Sequence, residues 1–379
     1  MAANESVDTP PNAAADGPSP QPAGRPSPQP KGRRRPAMRW IVHGVLFVAL
    51  AAGVFGLLPR LGGLTRDAAG LRHARPAFVA AAIVAQAASL GCYALLYRRV
   101  LASLGARLRF RLAAGVTLAT FLVSHVTPFG SATGTLLNVS TLEAEGVAAS
   151  TTGEAIGLTS LVSTAALVAL FGTGLAATAG QHISPGYLMI AGIALALVVS
   201  ATAIALLMGA HPATAEQAGR RLAKVARHVR PNIDPDKVGR TTKRLVSLAR
   251  SALTGRAFLA SFGFASADLL LDLLSLDLMF LAFSYQPGIG PLAVAYAAAN
   301  IASVIPITPG GLGVIEVTLV AVTVGFGAPR ATAVLAVLGY RVVNYWLPLF
   351  PGALAYLRLR LSPNAADKAK PSIPERGYD

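Results

Sequence analysis

The chain has 379 residues, of which 53% are hydrophobic and only 13% are charged, against about 25% charge in an average soluble domain. This composition excludes a disordered chain, a collagen and a disulfide scaffold, and the single Cys92 can neither close an internal disulfide nor build a Cys-rich metal site. A net charge of +16 would point to nucleic acid in a soluble protein. Here nearly all 33 basic residues fall outside the apolar segments, where Lys and Arg set topology and lie on anionic lipid, so no nucleic-acid partner is expected.

Residues 1–37 are rich in Pro, Ala, Ser and Gly, with PSPQP at 18–22 and again at 26–30, and are expected to form a disordered cytoplasmic tail. No apolar stretch lies near Met1, so this is not read as a signal peptide. A membrane domain is expected over 38–360, with a first half at 38–210 and a second at 257–360. Apolar spans of roughly the 20 residues a bilayer needs fall at 40–58, 76–97, 154–179, 187–209, 257–285 and 331–357. Two shorter stretches, 112–126 and 291–305, each run into a Pro/Gly motif and are followed by short apolar stretches at 134–142 and 312–326. Such pieces fit re-entrant hairpins or broken helices. Residues 211–256 form a basic insert, in which Leu222, Val225 and Val229 keep helical spacing between Arg220, Arg221, Lys224 and Arg227, as in an amphipathic helix on a leaflet surface. Residues 361–379 are a polar tail. The fold expected is an all-α polytopic helix bundle of about six spans plus two short hairpins.

Lys and Arg place these segments. The run Lys31 to Arg35, the 98–111 loop, the 211–256 insert and the segment after Arg358 and Arg360 belong inside, and the uncharged loops 180–186 and 286–290 belong outside. Both termini are then cytoplasmic. The 60–75 loop, with Arg60, Arg66, Arg72 and Arg75, runs against this scheme.

The chain also matches itself at an offset of 181. Thr127 and Pro128 fall on Thr308 and Pro309, Gly130 on Gly311, Val139 on Val320, Gly146 on Gly327, and Thr151 on Thr332. With the charge rule, this implies an inverted-topology repeat, an architecture that puts a substrate site near the midplane between two broken helices. A break leaves backbone N–H and C=O groups without helical partners, which costs several kcal/mol per group in hydrocarbon unless protein or a wet cavity satisfies them. A helix N-terminus after such a break suits a phosphate. The candidate substrate-binding residues are therefore Thr127, Pro128, Gly130 and Gly134 of the first break, and Thr308, Pro309, Gly310, Gly311 and Gly313 of the second.

Ionisable residues inside the membrane are costly and functional by default. Glu316 and Arg341 would relieve one another as a pair, or hold a cationic headgroup and a lipid phosphate respectively. Asp268 and Asp272, four residues apart on one helix face, are read in two ways, as lining a cavity together or as pairing with Arg, Ser or Tyr in the bundle, with Asp277 serving another contact. Glu143, Glu145 and Glu154 are placed at the cytoplasmic face. Tyr345 and Trp346 fit either an interfacial belt or the cavity wall. His125 reads as a hydrogen-bonded packing residue. No Walker motif, HExxH, CxxC or defensible Ser-His-Asp set occurs, so no catalytic residue, metal or cofactor is assigned.

The run Ser303-Val304-Ile305-Pro306-Ile307-Thr308-Pro309-Gly310-Gly311-Leu312-Gly313-Val314-Ile315-Glu316, with Gly339-Tyr340-Arg341, Asn344 to Pro348 and Gly352, resembles the second-half signature of the lysylphosphatidylglycerol synthase transmembrane-region family, also called the flippase-like domain family. The likeness covers about residues 40–358. The first half departs from the pattern: Gly134 is followed by Thr135, not Glu, and Ser160 stands opposite Arg341. The resemblance implies an integral membrane protein that moves a lipid or lipid-linked headgroup between leaflets. The resemblance also implies a plasma (inner) membrane. The chain ends shortly after its last span, which implies a stand-alone member without the soluble synthase domain, and no synthase activity is expected; an intramembrane enzyme acting on a lipid-linked substrate is a third reading. The partners expected are membrane lipids. The alternative is a non-transporting membrane partner of a lipid-modifying or glycosyltransferase enzyme, acting through the basic insert.

Overall fold

The structure is a computed structural model that describes residues 74–127, 130–178, 256–303 and 308–361, with scattered residues between 216 and 243. The expected spans at 40–58 and 187–209, the N-terminal tail and residues 362–379 lie outside the described residues. All described elements are helical: α1 (Pro76–Ser103), α2 (Phe110–Val126), α3 (Gly130–Ala144), α4 (Ala149–Ala177), α5 (Arg256–Ala282), α6 (Ile289–Ala302), a 3-10 turn (Pro309–Gly311), α7 (Val314–Gly325), α8 (Arg330–Arg341), a π-helical segment (Val342–Trp346) and α9 (Leu347–Leu361).

The offset of 181 read from the sequence relates these elements in order. It carries α1 onto α5, α2 onto α6, α3 onto α7, and α4 onto α8 with its π segment and α9. The helix ends repeat as well. Gly146 and Gly327 both take left-handed φ, 86° and 95°, as the residue that closes a helix must. At both ends the next amide reaches back five residues, Val147 N–H to Leu142 O at 2.9 Å and Ala328 N–H to Thr323 O at 3.0 Å.

The matched helices α1 and α5 run antiparallel, since the amide before α1 (Arg75) bonds the carbonyl of Ala282 at the end of α5 and Ser89 meets Asp268 midway. The second half is thus inverted relative to the first. The two halves also exchange their last helices: α4 packs on α6, and α9 on α2. Small residues allow both crossings. A Cβ on Gly174 would stand 2.7 Å from Ala293 Cβ, and one on Gly352 2.8 Å from Leu118 O, so the backbones approach as in other membrane helix pairs. Among the described residues two larger apolar cores result. One joins Leu96, Tyr97 and Leu101 to Val116, Leu142 and Leu158; the other joins Leu273, Leu276 and Phe280 to Leu292, Leu319 and Val337.

Helices α2, α3, α6 and α7 have 17, 15, 14 and 12 residues. At 1.5 Å per residue they reach about 18–26 Å, short of the ~30 Å hydrocarbon core. Each pair is a helical hairpin with a break at its tip. In the first, the Cβ positions of Gly130 and Gly134 fall against Ser124 and Thr120, so α3 turns straight back along α2. In the second, α7 packs back along α6.

The span expected at 331–357 is not one uniform helix. Pro348 has no N–H to give the carbonyl of Asn344 and would clash with it. The chain widens to a π segment over Val342–Trp346 before α9 resumes. In the basic insert, Arg220 Nη2 and Lys243 Nζ meet Glu216 at 2.7 and 3.1 Å and hold its carboxyl below the usual range. These exposed pairs contribute little to stability. Leu222, Val225 and Val229 lie outside the described side chains.

Candidate functional site

The second break is a compact knot. Thr308 Oγ1 donates to Leu312 O at 2.7 Å, closing the loop that Pro309 opens as the first residue of the 3-10 turn. Gly310, Gly311 and Gly313 all have left-handed φ, 61°, 67° and 87°. At Gly310 a side chain is doubly barred, because a Cβ would collide with the Tyr345 ring. The first amide at the head of α7, Gly313 N–H, donates to Glu316 Oε2 at 2.7 Å. The carboxylate therefore takes the position that the sequence reserved for a phosphate.

Glu316 does a second job. Its Oε1 accepts from Arg341 Nε at 2.7 Å, and the two side chains are 0% and 3% exposed. Arg341 also donates from Nη2 to the carbonyl of Gly310 at 3.2 Å, and its guanidinium lies 4.6 Å from the centre of the Tyr345 ring. One arginine thus satisfies both a buried charge and a carbonyl freed by the break, as buried ion pairs require.

The acidic residues of α5 separate. Asp272 accepts from Tyr296 Oη at 2.8 Å, Tyr340 Oη at 2.9 Å and Asn344 Nδ2 at 2.8 Å. Asp268 accepts instead from Ser89 of α1 at 2.7 Å. Of the two readings, pairing within the bundle is the one the contacts follow: Ser89 holds Asp268, and Tyr296 and Tyr340 hold Asp272. A four-residue step turns about 40° around the helix, and α5 packs on α1, α4 and α8 while Tyr296 of α6 reaches Asp272, so each acid meets a different neighbour. Tyr345 is fully buried and so belongs to the interior, not to an interfacial belt. Glu154 is buried as well.

The first break is made of hydroxyls and glycines. Thr127 is buried; its Oγ1 meets Val123 O at 2.6 Å and the hydroxyl of Thr133. Gly130 and Gly134 let α3 lie on Ser124. Pro128 lies outside the described residues. The two tips touch: Tyr345 Oη donates to the carbonyl of His125 at 3.0 Å, and a Cβ on Gly310 would stand 2.9 Å from His125 Cδ2. The His125 ring bonds Phe121 O at 2.8 Å and stacks on Phe121, in keeping with a packing role.

A cavity of about 220 Å³ lies in the first half, among α1, α2, α3 and α4. Of the residues singled out in the sequence, only His125 borders it. The rest of its wall is Thr, Ser, Tyr and Asn residues set among Leu90, Leu118, Phe121 and Ile156, and none of them carries a distinguishing pattern in the sequence. The signal available was negative: at the positions matching Glu316 and Tyr340 the first half has Thr135 and Thr159. Among the described residues no cluster of His, Cys, Asp and Glu fits a metal ion.

Three described helical stretches, Pro76–Ser103, Ala149–Ala177 and Arg330–Leu361, are long and apolar enough to cross a bilayer. A "UPF0104 membrane protein" of Methanothermobacter thermautotrophicus is 29% identical over 85 residues, 22% of this chain and 25% of that protein. The "Inner membrane protein YbhN" of Escherichia coli is 38% identical over 60 residues, 16% of this chain and 19% of that protein. The aligned stretches thus span a quarter or less of either relative. The family model for the lysylphosphatidylglycerol synthase TM region matches residues 41–352. With most of its length inside that match, and its described helices apolar and bundled, the chain is a multi-pass membrane protein of the lysylphosphatidylglycerol synthase transmembrane-region family.

Proposed function

We propose that this protein moves a lipid, or a lipid-linked headgroup, between the leaflets of a plasma membrane, with the two hairpin tips as the crossing point. The observation that carries the reading is the contact between the tips. The first reaches in from one end of the bundle and the second from the other, and they meet at His125, Gly310 and Tyr345. Inverted hairpins that meet in this way suit alternating access to a midplane site. The relative named as an inner membrane protein supports the membrane assigned.

In this reading the Glu316–Arg341 pair is the closed state of a latch. Opening it frees Arg341 to hold a lipid phosphate, as a guanidinium does well, and frees Glu316 for a cationic group or a proton. Thr127, Pro128, Gly130, Gly134, Thr308, Pro309, Gly311 and Gly313 shape the breaks around it. Asp272, through Asn344 and Tyr340, sets the position of α8.

The test is transport. Purified protein is placed in liposomes with headgroup-labelled anionic, aminoacylated and polyprenyl-phosphate lipids, and label protected from an impermeant quencher is followed. Wild type should speed the loss of protection for one lipid class. Glu316→Gln should abolish this while eluting as a folded species on size exclusion. No movement of any lipid by folded wild type, together with loss of cellular function on charge reversal across 220–230, would replace the reading with that of a partner for a lipid-modifying enzyme.

A further inference from the structure

The cavity among α1, α2, α3 and α4 has a chemistry unlike the knot. Among the described residues no Asp, Glu, Lys or Arg lines it. Its polar groups are hydroxyls, one amide and the imidazole of His125, whose Nδ1 is taken up by Phe121 O, and its apolar walls include the rings of Tyr93 and Phe121. Two of the hydroxyls, Thr120 Oγ1 on α2 and Thr159 Oγ1 on α4, are buried and have no hydrogen-bond partner among the described residues; Thr159 as a whole is 1% exposed. Buried hydroxyls are nearly always partnered, because leaving one unmade is expensive. Most other threonines nearby are satisfied within their own helices, such as Thr117 on Ala114 O and Thr135 on Ser131 O. The amide of Asn138 is held in place by Tyr97, which donates to its Oδ1 at 2.8 Å.

Size and depth narrow the ligand. A drug-sized molecule needs roughly 300 Å³ or more, and about 220 Å³ admits a single ring or a short polyol. Tyr97 and Asn138 are each six residues from the ends of α1 and α3, and Thr120 and Thr159 are each ten from the starts of α2 and α4. These four helix ends belong to the short loops 104–109 and 145–148. At 1.5 Å per residue these four residues lie about 9–15 Å from that end of the bundle, within one half of the ~30 Å hydrocarbon core, and the cavity runs on past them to Ser124 and His125, about 21–23 Å in. A group at this depth comes from a lipid of the adjacent leaflet.

We propose that this cavity binds one uncharged, hydroxyl-bearing lipid headgroup, a hexose, with Thr120, Thr159 and Asn138 as its hydrogen-bond partners and Tyr93 and Phe121 as its apolar wall. The assignment rests on the lipid-moving reading above and supplies its substrate class. The charged knot, closed on itself, then acts on the passage of the headgroup and does not select it.

The test is binding of tritiated glucosyl-diacylglycerol to the full chain in nanodiscs, with phosphatidylglycerol of the same acyl chains and free methyl glucoside as separate arms. Glucosyl-diacylglycerol should bind saturably, and Thr120→Val or Thr159→Val should each weaken it about tenfold with the unfolding temperature unchanged or raised. Phosphatidylglycerol binding should not respond to either substitution. Binding of glucosyl-diacylglycerol that both variants leave within twofold of wild type overturns the proposal, since the hydroxyls would then face only water. Methyl glucoside binding with the same threonine dependence overturns the lipid part of it. Thr-dependent binding without transport in liposomes would remove the lipid-moving reading and keep the cavity. Transport sensitive to Glu316→Gln without Thr-dependent binding would do the reverse.

Discussion

The two halves share a scaffold and differ in what fills it. In the second half, α7 and α8 bring Glu316, Tyr340 and Arg341 onto Asp272, Asn344 and Gly310, and the space between helices is closed by polar contacts. In the first half the same positions hold Thr135, Thr159 and Ser160. The hydroxyls of Thr135 and Ser160 bond their own helix, that of Thr159 bonds nothing, and a cavity remains. One backbone plan has thus been used for a lock and for a pocket. The difference lies in whether the side chains at matched positions are long and charged or short and neutral.

Exchanging residues at matched positions tests this contrast. The largest effect is expected at Arg341. Arg341→Met leaves Glu316 buried without its partner and should cost about 3–5 kcal/mol in unfolding free energy, whereas Ser160→Met in the first half should stay within about 0.5 kcal/mol. Thermal unfolding in one detergent reads both, and equal losses would end the distinction. Next is the matched pair Tyr340 and Thr159. Tyr340→Phe removes a donor to Asp272 and should cost about 1–3 kcal/mol, while Thr159→Val should be neutral or stabilising, because the hydroxyl it removes has no partner. A clear loss of stability for Thr159→Val would mean that its hydroxyl is engaged.

Two smaller effects test what the halves have in common. Gly174→Leu and Gly352→Leu force apart the α4–α6 and α9–α2 crossings, and each should cost about 1–3 kcal/mol by overpacking. The smallest effect is at the helix ends. Gly146→Ala and Gly327→Ala put a Cβ into open space at left-handed φ, so each should cost about 1 kcal/mol, equal within error. Unequal values would show that the two caps do not carry the same load.

Much of this was legible in the sequence, for definite reasons. Gly146 and Gly327 are visible at a fixed offset because only glycine readily takes the conformation that ends each helix. Glu316 and Arg341 stand out because a charge in an apolar segment must be answered. Which charge answers which was open for the acids of α5: the spacing of Asp268 and Asp272 gives one helix face, but not the neighbours lying against it. The π segment escaped because Pro348 announces a disturbance and not its register. The cavity escaped because Thr120, Asn138 and Thr159 are ordinary residues in apolar helices, and an unpartnered hydroxyl exists only once the helices around it are assembled.

The antiparallel seam between α1 and α5 has a consequence for biosynthesis. Ser89 and Asp268, which meet across it, are 179 residues apart in the chain. At the usual 5–20 residues per second, α1 waits on the order of 10–40 s for α5 to be made. During that time the first half sits in the bilayer with the face meant for its inverted twin uncovered. A first-half fragment expressed alone would carry that same bare face and should pair with its own copies through α1.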